Sequence, residues 1–325
     1  MKLEELGERY ILNYILKKVD SSSDLMLPPG DDAAALWFNG LLLACVDMLV
    51  SETDVPPGMT WQQVGWKAAV SPISDVASKG GRPKYLLLSL GLMPSMEFEE
   101  FEELLRGVET AASRYGARII GGDLNELRTT AVSVSVLGVA QKLMSRFGAK
   151  PGDVLATTGL FGKTYAGLNA IFNNRKADRK ILEAVYSPEA RVEQGVALAS
   201  SGGVHACVDS SDGLSESLHL LAESSKVGFV VEALPVDPSA EQYCLDNGLN
   251  PLDAVFFGGE EYELVFTVRR GWEDVVDNAL RKVGGEMHVF GKAVSGQGVY
   301  IREGDKLKPV PRTGWQHFNA SRKTP

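Results

Sequence analysis

Short acidic motifs stand beside glycine or other small residues at five places in the sequence. They are Gly30-Asp31-Asp32, Val46-Asp47, Ser74-Asp75, Gly122-Asp123 and the segment from Asp209 to Asp212. We expect each to lie where a strand or helix ends, because small residues let a phosphate approach the backbone there. Mg²⁺ takes one or two carboxylates from a protein and fills its other positions with water and phosphate oxygens. The set favours several metal ions and a polyphosphate, although each motif alone is also typical of an ordinary turn.

Other kinds of catalytic site find little support in the residue pattern. The segment Gly159–Thr164 resembles the tail of a phosphate-binding loop, but its glycines are too close together, so it predicts a turn that caps a helix at Lys163. No pattern places a serine or cysteine nucleophile beside His205. The four histidines share no ligand spacing, and the three cysteines are far apart, which predicts buried reduced thiols without zinc or disulfides.

The charge balance argues against two classes of partner. Lysine plus arginine total 33 and aspartate plus glutamate 42, giving a formal net charge of −9, which disfavours nucleic acid or an anionic membrane held by bulk charge. No apolar run reaches the roughly 18 to 20 residues of a membrane span. Residues 1–18 mix acids and bases along an amphipathic helix, unlike a signal peptide. We therefore expect a cytoplasmic protein without a nucleic-acid or membrane partner.

The elements that must position these motifs indicate an α+β protein of two domains. The chain has 325 residues, of which 44% are hydrophobic, enough for two cores. Apolar runs and alternating patterns predict strands at Leu41–Val46, Tyr85–Leu92, Thr130–Ala140, Val154–Thr158, Ala206–Val208, Phe229–Glu232, Glu263–Val268 and Val299–Arg302. Helices should begin at the Thr60–Gln63 capping box, Ser95, Lys163 and Ser187-Pro188, and after Gly213, with Pro72 interrupting the first. The turn-rich segment Gly148–Asp153 separates predicted domains 1–148 and 149–325.

Eight motifs follow one another from about Gly30 to Phe318: Gly30–Ala34, Val46–Val50, Ser74–Ala77, Gly121–Asp123, Lys150–Asp153, Asp209–Leu214, Gly258–Leu264 and Gly314–Phe318. Read in order, they resemble the motifs of the thiamine-monophosphate kinase family, which belongs to the superfamily of aminoimidazole ribonucleotide synthetase and selenophosphate synthetase. The resemblance implies an N-terminal mixed sheet with helices that forms a homodimer, a C-terminal α/β sandwich, and ATP in the cleft between the domains. It also implies transfer of a phosphoryl group from ATP to thiamine monophosphate, giving thiamine diphosphate, with Mg²⁺ and no covalent intermediate.

Matched residue by residue, the resemblance implies three groups of site residues. The implied magnesium ligands are Asp32, Asp47, Asp75, Asp123, Asp209 and Asp212, with Asp31 as the first acid of its motif. The implied ATP contacts are Gly122, Asp123, Arg146 and Ser211. At the thiamine end, the matching positions are Glu260 and Trp315, an acid and an aromatic face suited to a thiazolium cation.

Three departures from the family pattern bear on the substrate site. Asp54 is a candidate substrate-binding residue, because it stands where the family usually has a substrate-contacting histidine, but an ionised aspartate cannot donate to a phosphate. Lys79 either brings a positive charge near the phosphates or is an ordinary solvated lysine at a helix end. Glu261 replaces the usual aspartate.

Two alternative functions remain open at this point. The chain could be another ATP-using member of the superfamily with a different acceptor, or a non-catalytic nucleotide-binding protein in which the change at Asp54 has ended turnover. Selenophosphate synthesis is disfavoured because no cysteine or lysine precedes the first motif in the glycine-rich context which that chemistry uses. The hydrogenase-maturation reaction is disfavoured because the last cysteine is Cys244, far from the C-terminus.

Overall fold

The computed structural model describes residues 1–19, 26, 36 and 40–314. The described strands are β1 (Leu41–Val50), β2 (Arg82–Leu92), β3 (Arg118–Glu126), β4 (Ala131–Ala140), β5 (Val154–Thr157), β6 (Val204–Asp209), β7 (Gly228–Val231), β8 (Leu264–Val268), β9 (His288–Val294), β10 (Gly298–Glu303) and β11 (Lys306–Pro309). The described helices are α1 (Leu3–Leu6), α2 (Glu8–Leu16), α3 (Ser51–Asp54), α4 (Trp61–Ser78), α5 (Phe98–Arg114), α6 (Lys163–Phe172), α7 (Arg179–Tyr186), α8 (Val192–Ser201), α9 (Leu214–Ser225), α10 (Pro238–Asp246), α11 (Pro251–Phe257) and α12 (Glu273–Arg281). None of these helices is both long enough and apolar enough to cross a membrane.

The chain divides into two compact units. The first comprises Met1–Val76 and Gly81–Gln141, and the second comprises Ala77–Gly80 and the chain from Lys142 onward. The division falls in the connection between β4 and β5, the same connection that holds the predicted boundary between residues 148 and 149. The end of α4 belongs with the second unit because it packs against α8, where a Cβ on Gly195 would lie 2.1 Å from the carbonyl oxygen of Ala77.

The first unit is built on a four-stranded mixed sheet with the order β1-β4-β2-β3. The β2–β3 pair is parallel and the other two pairs are antiparallel. Alternate residues of β4 (Val132, Val134 and Val136) are completely buried, as expected for a strand with one face on the core. Helices α4 and α5 touch backbone to backbone, since a Cβ on Gly65 would lie 1.9 Å from the carbonyl oxygen of Leu104.

The second unit contains a seven-stranded sheet with the order β11-β10-β7-β9-β5-β8-β6 and helices on both faces. Among the described strand pairs of this seven-stranded sheet, only β7–β10 is parallel. Neighbouring residues of β6 pack on opposite faces of the sheet. Val208 packs in the core that includes Leu218 of α9, and Cys207 packs in the core that includes Leu198 of α8. The predicted C-terminal α/β sandwich and the α+β class are therefore confirmed.

Two helix starts and one interruption differ from the sequence prediction. The capping box is confirmed, since the amide of Thr60 donates to Gln63 Oε1 at 2.9 Å, but α4 runs through Pro72 without a break. Complete burial of its neighbours Val70 and Ile73 offsets the cost of the proline, about 3 kcal/mol. Helix α5 is capped by Glu97, whose amide donates to Glu100 Oε2 at 3.0 Å, so the prediction of a cap at Ser95 is wrong.

The prediction of a helix beginning at Ser187-Pro188 is also wrong. Helix α7 ends before it at Tyr186, and α8 begins only at Val192. The intervening segment instead directs Arg191 to the buried carboxylate of Glu263, with Nε and Oε2 separated by 2.9 Å. A buried ion pair between segments distant in sequence thus fixes this connection.

Candidate functional site

The described candidate metal-binding aspartates of the first unit lie inside regular elements and not at their ends. Asp47 is on β1, Asp75 on α4 and Asp123 on β3, so the prediction that these three end a strand or helix is wrong. The two strands extend further than their apolar runs because pairing with β4 and β2 continues past the acids. The carboxylate of Asp47 accepts a hydrogen bond from Ser71 Oγ at 2.9 Å, which fixes it against α4.

Strand register separates Asp47 from Asp123. Asp47 lies opposite Val134, whereas Asp123 lies opposite Ser89, which in turn lies opposite Ser133. Ser133 and Val134 are consecutive residues of β4 and point to opposite faces of the sheet. A register shift between β2 and β3 precedes Asp123, and a shift of one residue changes the face on which a strand residue lies. Asp47 and Asp123 therefore align with opposite faces.

Gly122 has a steric reason to be glycine. A Cβ there would lie 1.9 Å from the carbonyl oxygen of Leu88 on the neighbouring strand, far inside contact distance. The close approach of two backbones thus requires this residue whether or not ATP contacts it.

Asp54 has a structural function at the end of β1. Its Oδ2 accepts a hydrogen bond from the amide of Val50 at 2.8 Å, and its carbonyl oxygen accepts one from Lys67 Nζ at 2.8 Å. Lys67 is only 3% exposed, so this contact lies in the interior of the first unit. The aspartate at this position closes the turn that follows the strand.

In the second unit, two loops that carry predicted site residues are joined through their backbones. We call Asp209–Gly213 the aspartate loop and Gly258–Glu263 the glutamate loop. The amide of Glu260 donates to the carbonyl oxygen of Ser211 at 2.6 Å, and the amide of Tyr262 donates to that of Ser210 at 2.9 Å. The structure thus brings together a predicted ATP contact, Ser211, and a predicted thiamine contact, Glu260.

The glutamate loop holds two residues in a conformation that side chains rarely adopt. Glu260 has φ 63° and Tyr262 has φ 52°, both in the left-handed region. Such residues cost of order 1–3 kcal/mol each and persist only where the surroundings fix them, which is common at functional sites.

Buried hydrogen bonds and one buried ion pair fix this loop from its other side, and no local sequence pattern indicates them. Glu261 Oε1 accepts hydrogen bonds from the amides of Gly162 and Thr164, at 2.7 and 3.1 Å. Glu263 accepts from Thr158 Oγ1 at 2.7 Å and from Arg191. Burial raises the pKa of Glu261 to about 7, against the opposing effect of its hydrogen bonds. The helix-capping interpretation of Gly159–Thr164 is confirmed, and Glu261 is the group that caps α6.

Lys79 is attached to the strand that leads into the aspartate loop. Its Nζ donates to the carbonyl oxygen of Cys207 at 3.2 Å, two residues before Asp209, and the side chain is partly buried. This contact disfavours the interpretation of Lys79 as an ordinary solvated lysine. Arg146 is exposed, and its carbonyl oxygen accepts from Ser225 Oγ at 3.2 Å.

The chain approaching Trp315 lies along α9 and reaches the aspartate loop. Arg312 binds both carboxylate oxygens of Glu216, with Nε and Nη2 at 3.0 and 2.7 Å, which lowers the pKa of that carboxyl. A Cβ on Gly314 would lie 2.5 Å from the carbonyl oxygen of Asp212. Asp31, Asp32 and Trp315 themselves lie outside the described residues.

Each unit, taken by itself, has oxygen donors that suit a hard cation, and its described residues form no complete cage. Among the described residues, no three histidine, cysteine, aspartate or glutamate side chains come together as a metal site. Asp209 is 5% exposed at the end of β6, and the hydroxyl of its neighbour Ser210 is buried with no hydrogen-bond partner in the described part of the chain. Carboxylates and an unused hydroxyl oxygen are the donor types of a site that Mg²⁺ shares with phosphate and water.

Comparison with known proteins gives matches along nearly the whole chain. The family model "AIR synthase related protein, N-terminal domain" matches residues 30–140, and its C-terminal counterpart matches residues 150–303. The thiamine-monophosphate kinase of Pyrococcus horikoshii is 34% identical over 319 residues, which cover 97% of each chain. The solved structure of AaThiL complexed with AMPPCP and TMP is 29% identical, with a TM-score of 0.77 over 98% of this chain and 99% of that one.

A more distant solved structure shares the fold alone. The hydrogenase maturation protein HypE of E. coli is 20% identical, with a TM-score of 0.78 over 94% of this chain and 97% of its own. The fold therefore does not distinguish the two activities, whereas sequence identity along the whole chain does. The chain belongs to the AIR synthase related family and, within it, to the thiamine-monophosphate kinases.

Proposed function

We propose that this protein transfers the γ-phosphoryl group of ATP to thiamine monophosphate, giving ADP and thiamine diphosphate. The observation that carries the proposal is the 34% identity to a thiamine-monophosphate kinase over 97% of both chains. The relative solved with AMPPCP and TMP, which aligns with 98% of this chain, supports the same pair of substrates.

The aspartate loop and the glutamate loop carry residues that suit the two substrates of this reaction. In the proposal, Ser211 and Arg146 contact ATP, while Glu260 meets the positive charge of the thiazolium ring, assisted by the aromatic face of Trp315. The 2.6 Å hydrogen bond between the backbones of Ser211 and Glu260 supports these assignments, because it couples the positions of the two contacts. Gly122 and Asp123 are the proposed ATP contacts of the first unit.

We further propose that several Mg²⁺ ions are held by Asp47, Asp75, Asp123, Asp209 and Asp212, together with Asp32. Asp47 and Asp123 serve different ions in this proposal, because they align with opposite faces of the sheet. When bound, the metal offsets the repulsion between two anionic phosphates, so that an oxygen of one can attack the phosphorus of the other in line. Buried Asp209 brings an anionic oxygen to the end of β6, and Asp47 is oriented by Ser71. Direct transfer needs no protein nucleophile, and in the proposal the aspartates serve as metal ligands.

A homodimer in the cytoplasm completes the proposal. Val46 and Met48 are 60% and 63% exposed on the same face of edge strand β1, an apolar surface suited to a second copy of the first unit's sheet. Light scattering should therefore give twice the chain mass, and V46E/M48E should give the monomer. Leu245→Glu, at an equally exposed apolar residue of α10, should leave the dimer intact. A monomeric wild-type protein would contradict this part of the proposal.

Product analysis tests the activity. With Mg-ATP and thiamine monophosphate, ADP and thiamine diphosphate should form in equal amounts, and EDTA should stop both. Unphosphorylated thiamine should be a poor acceptor, because the proposed metal ligands serve a second phosphate. Equal turnover of thiamine, or ADP formation without thiamine diphosphate, would contradict the proposal.

A further inference from the structure

The three glutamates of the glutamate loop lie in two different surroundings. Glu261 and Glu263 are 8% and 4% exposed and bind groups of the interior. Glu260, which precedes Glu261 in the chain, is partly exposed. The amides of Glu260 and Tyr262 donate to the aspartate loop. The position of Glu260 therefore depends on how its buried neighbour is held.

Glu261 is held by the first turn of α6. A single carboxylate oxygen, Oε1, accepts from the amide of Gly162, the amide of Thr164 and Thr164 Oγ1, at 2.7, 3.1 and 3.0 Å. Helix α6 is itself fixed in a core in which Ala166 and Ala170 are 0% and 1% exposed. Three hydrogen bonds to one buried carboxylate leave it little freedom to shift.

The left-handed residues flank this anchor directly. Glu260 precedes Glu261 and Tyr262 follows it, with φ values of 63° and 52°. A loop with two such residues returns to ordinary backbone conformations unless contacts with its surroundings prevent it. Glu261 supplies those contacts on the α6 side, and the aspartate loop supplies them on the other.

We propose that Glu261 is a positioning residue, which anchors the glutamate loop to the start of α6 and so holds Glu260 in the conformation that contacts the substrate. The identity of the substrate rests on the proposed function, but the anchoring can be measured without turnover. The change from the family's usual aspartate to glutamate places the carboxylate one methylene further from the backbone, where it reaches α6 in this chain.

Three variants separate anchoring from a general loss of structure. Glu261→Ala removes the carboxylate, and Thr164→Val removes one of its three donors while keeping the side-chain shape. Glu241→Ala, on the exposed side of α10, is the matched control for loss of a glutamate in the second unit.

Hydrogen exchange of the amides of Glu260 and Tyr262 measures the anchoring itself. In Glu261→Ala, both amides should exchange at least about tenfold faster, while those of β8 keep their protection. Thr164→Val should give a smaller increase, and Glu241→Ala none. Unchanged exchange at Glu260 in Glu261→Ala would overturn the proposal, and so would equal loss of protection throughout β8.

Steady-state kinetics measures the consequence for the substrate. The KM for thiamine monophosphate should rise about tenfold in Glu261→Ala. The KM for ATP should rise less, because Glu261 acts on the ATP contact Ser211 only through the backbone of Glu260. A wild-type KM for thiamine monophosphate, or equal rises for both substrates, would overturn the positioning role. If the wild-type protein makes no thiamine diphosphate, the proposed function fails, and the exchange measurement still decides whether Glu261 anchors the loop.

Discussion

The amide of Glu260 lies 2.6 Å from the carbonyl oxygen of Ser211, which joins the glutamate loop to the aspartate loop at the centre of the second unit's candidate site. Asp209 and Asp212 stand on either side of Ser211, and buried Glu261 follows Glu260. Motifs about 50 residues apart in the sequence thus form one backbone-bonded structure.

Asp75→Asn tests the metal site in the first unit. The change keeps the size and one acceptor oxygen of the side chain but removes an anionic ligand. We expect kcat to fall by about 10²-fold or more, equivalent to about 2.7 kcal/mol, and the Mg²⁺ concentration for half-maximal rate to rise. Asp246→Asn, at an exposed aspartate of α10, is the control. Wild-type kcat with unchanged Mg²⁺ dependence would remove Asp75 from the site.

Asp54 allows its charge to be separated from its structural contact. Asp54→Asn keeps an acceptor for the amide of Val50, so thermal stability should stay at the wild-type value. Asp54→Ala loses this contact and should cost about 1 kcal/mol of unfolding free energy. Both variants remove a negative charge and should lower the KM for thiamine monophosphate about two- to threefold. An unchanged KM in both would show that the carboxylate does not face the substrate.

Gly122→Ala should destabilise the protein through a backbone clash. The new Cβ would meet the carbonyl oxygen of Leu88, and the required strand shift should cost about 1–3 kcal/mol of unfolding free energy. Gly121→Ala is the matched control, because its Cβ would meet only the flexible end of the Leu87 side chain, at 3.3 Å. Denaturant unfolding measures both, and equal stabilities would contradict this account of Gly122.

Glu261 should make stability depend on pH. Its pKa is raised from 4.5 to about 7, so between these values the folded protein holds a proton that the unfolded chain releases. This contribution is complete below pH 4.5 and is lost as pH rises through 7. The difference, at about 1.36 kcal/mol per pKa unit, gives at most about 3 kcal/mol.

Thermal unfolding between pH 5 and 8 measures this effect. Wild type should lose stability relative to Glu261→Gln as pH rises, because glutamine does not titrate. Glu241→Gln should follow the wild-type curve at the same pH values. Parallel curves for wild type and Glu261→Gln would show that the carboxyl titrates alike in the folded and unfolded chains.

Local sequence patterns predicted a strand or helix correctly where a single run of residues determines it. Strand β4 followed from its alternating valines, and the start of α4 followed from the capping box at Thr60. The extent of other strands depends on pairing between residues that are distant in the sequence. Asp47 lies inside β1 because pairing with β4 continues to Val50, which the apolar run ending at Val46 does not indicate.

In the candidate site, too, some features follow from the local sequence and others depend on contacts between distant residues. The aspartate loop could be placed from sequence because it follows a buried apolar strand, β6. The partners of Glu261 and Glu263 could not, because they are brought close only by the fold. Thr164 is 97 residues from Glu261 and Arg191 is 72 from Glu263. The glutamate loop contains three glutamates, and its sequence does not indicate which of them are buried.

Transfer of a radiolabelled γ-phosphate tests the central claim most directly. ATP labelled in that group is mixed with the protein, Mg²⁺ and thiamine monophosphate, and the products are separated during a single turnover. The account predicts that the label appears in thiamine diphosphate at the rate at which ATP disappears, without passing through labelled protein or free phosphate. Label released as inorganic phosphate, or retained on the protein, would contradict direct transfer to thiamine monophosphate.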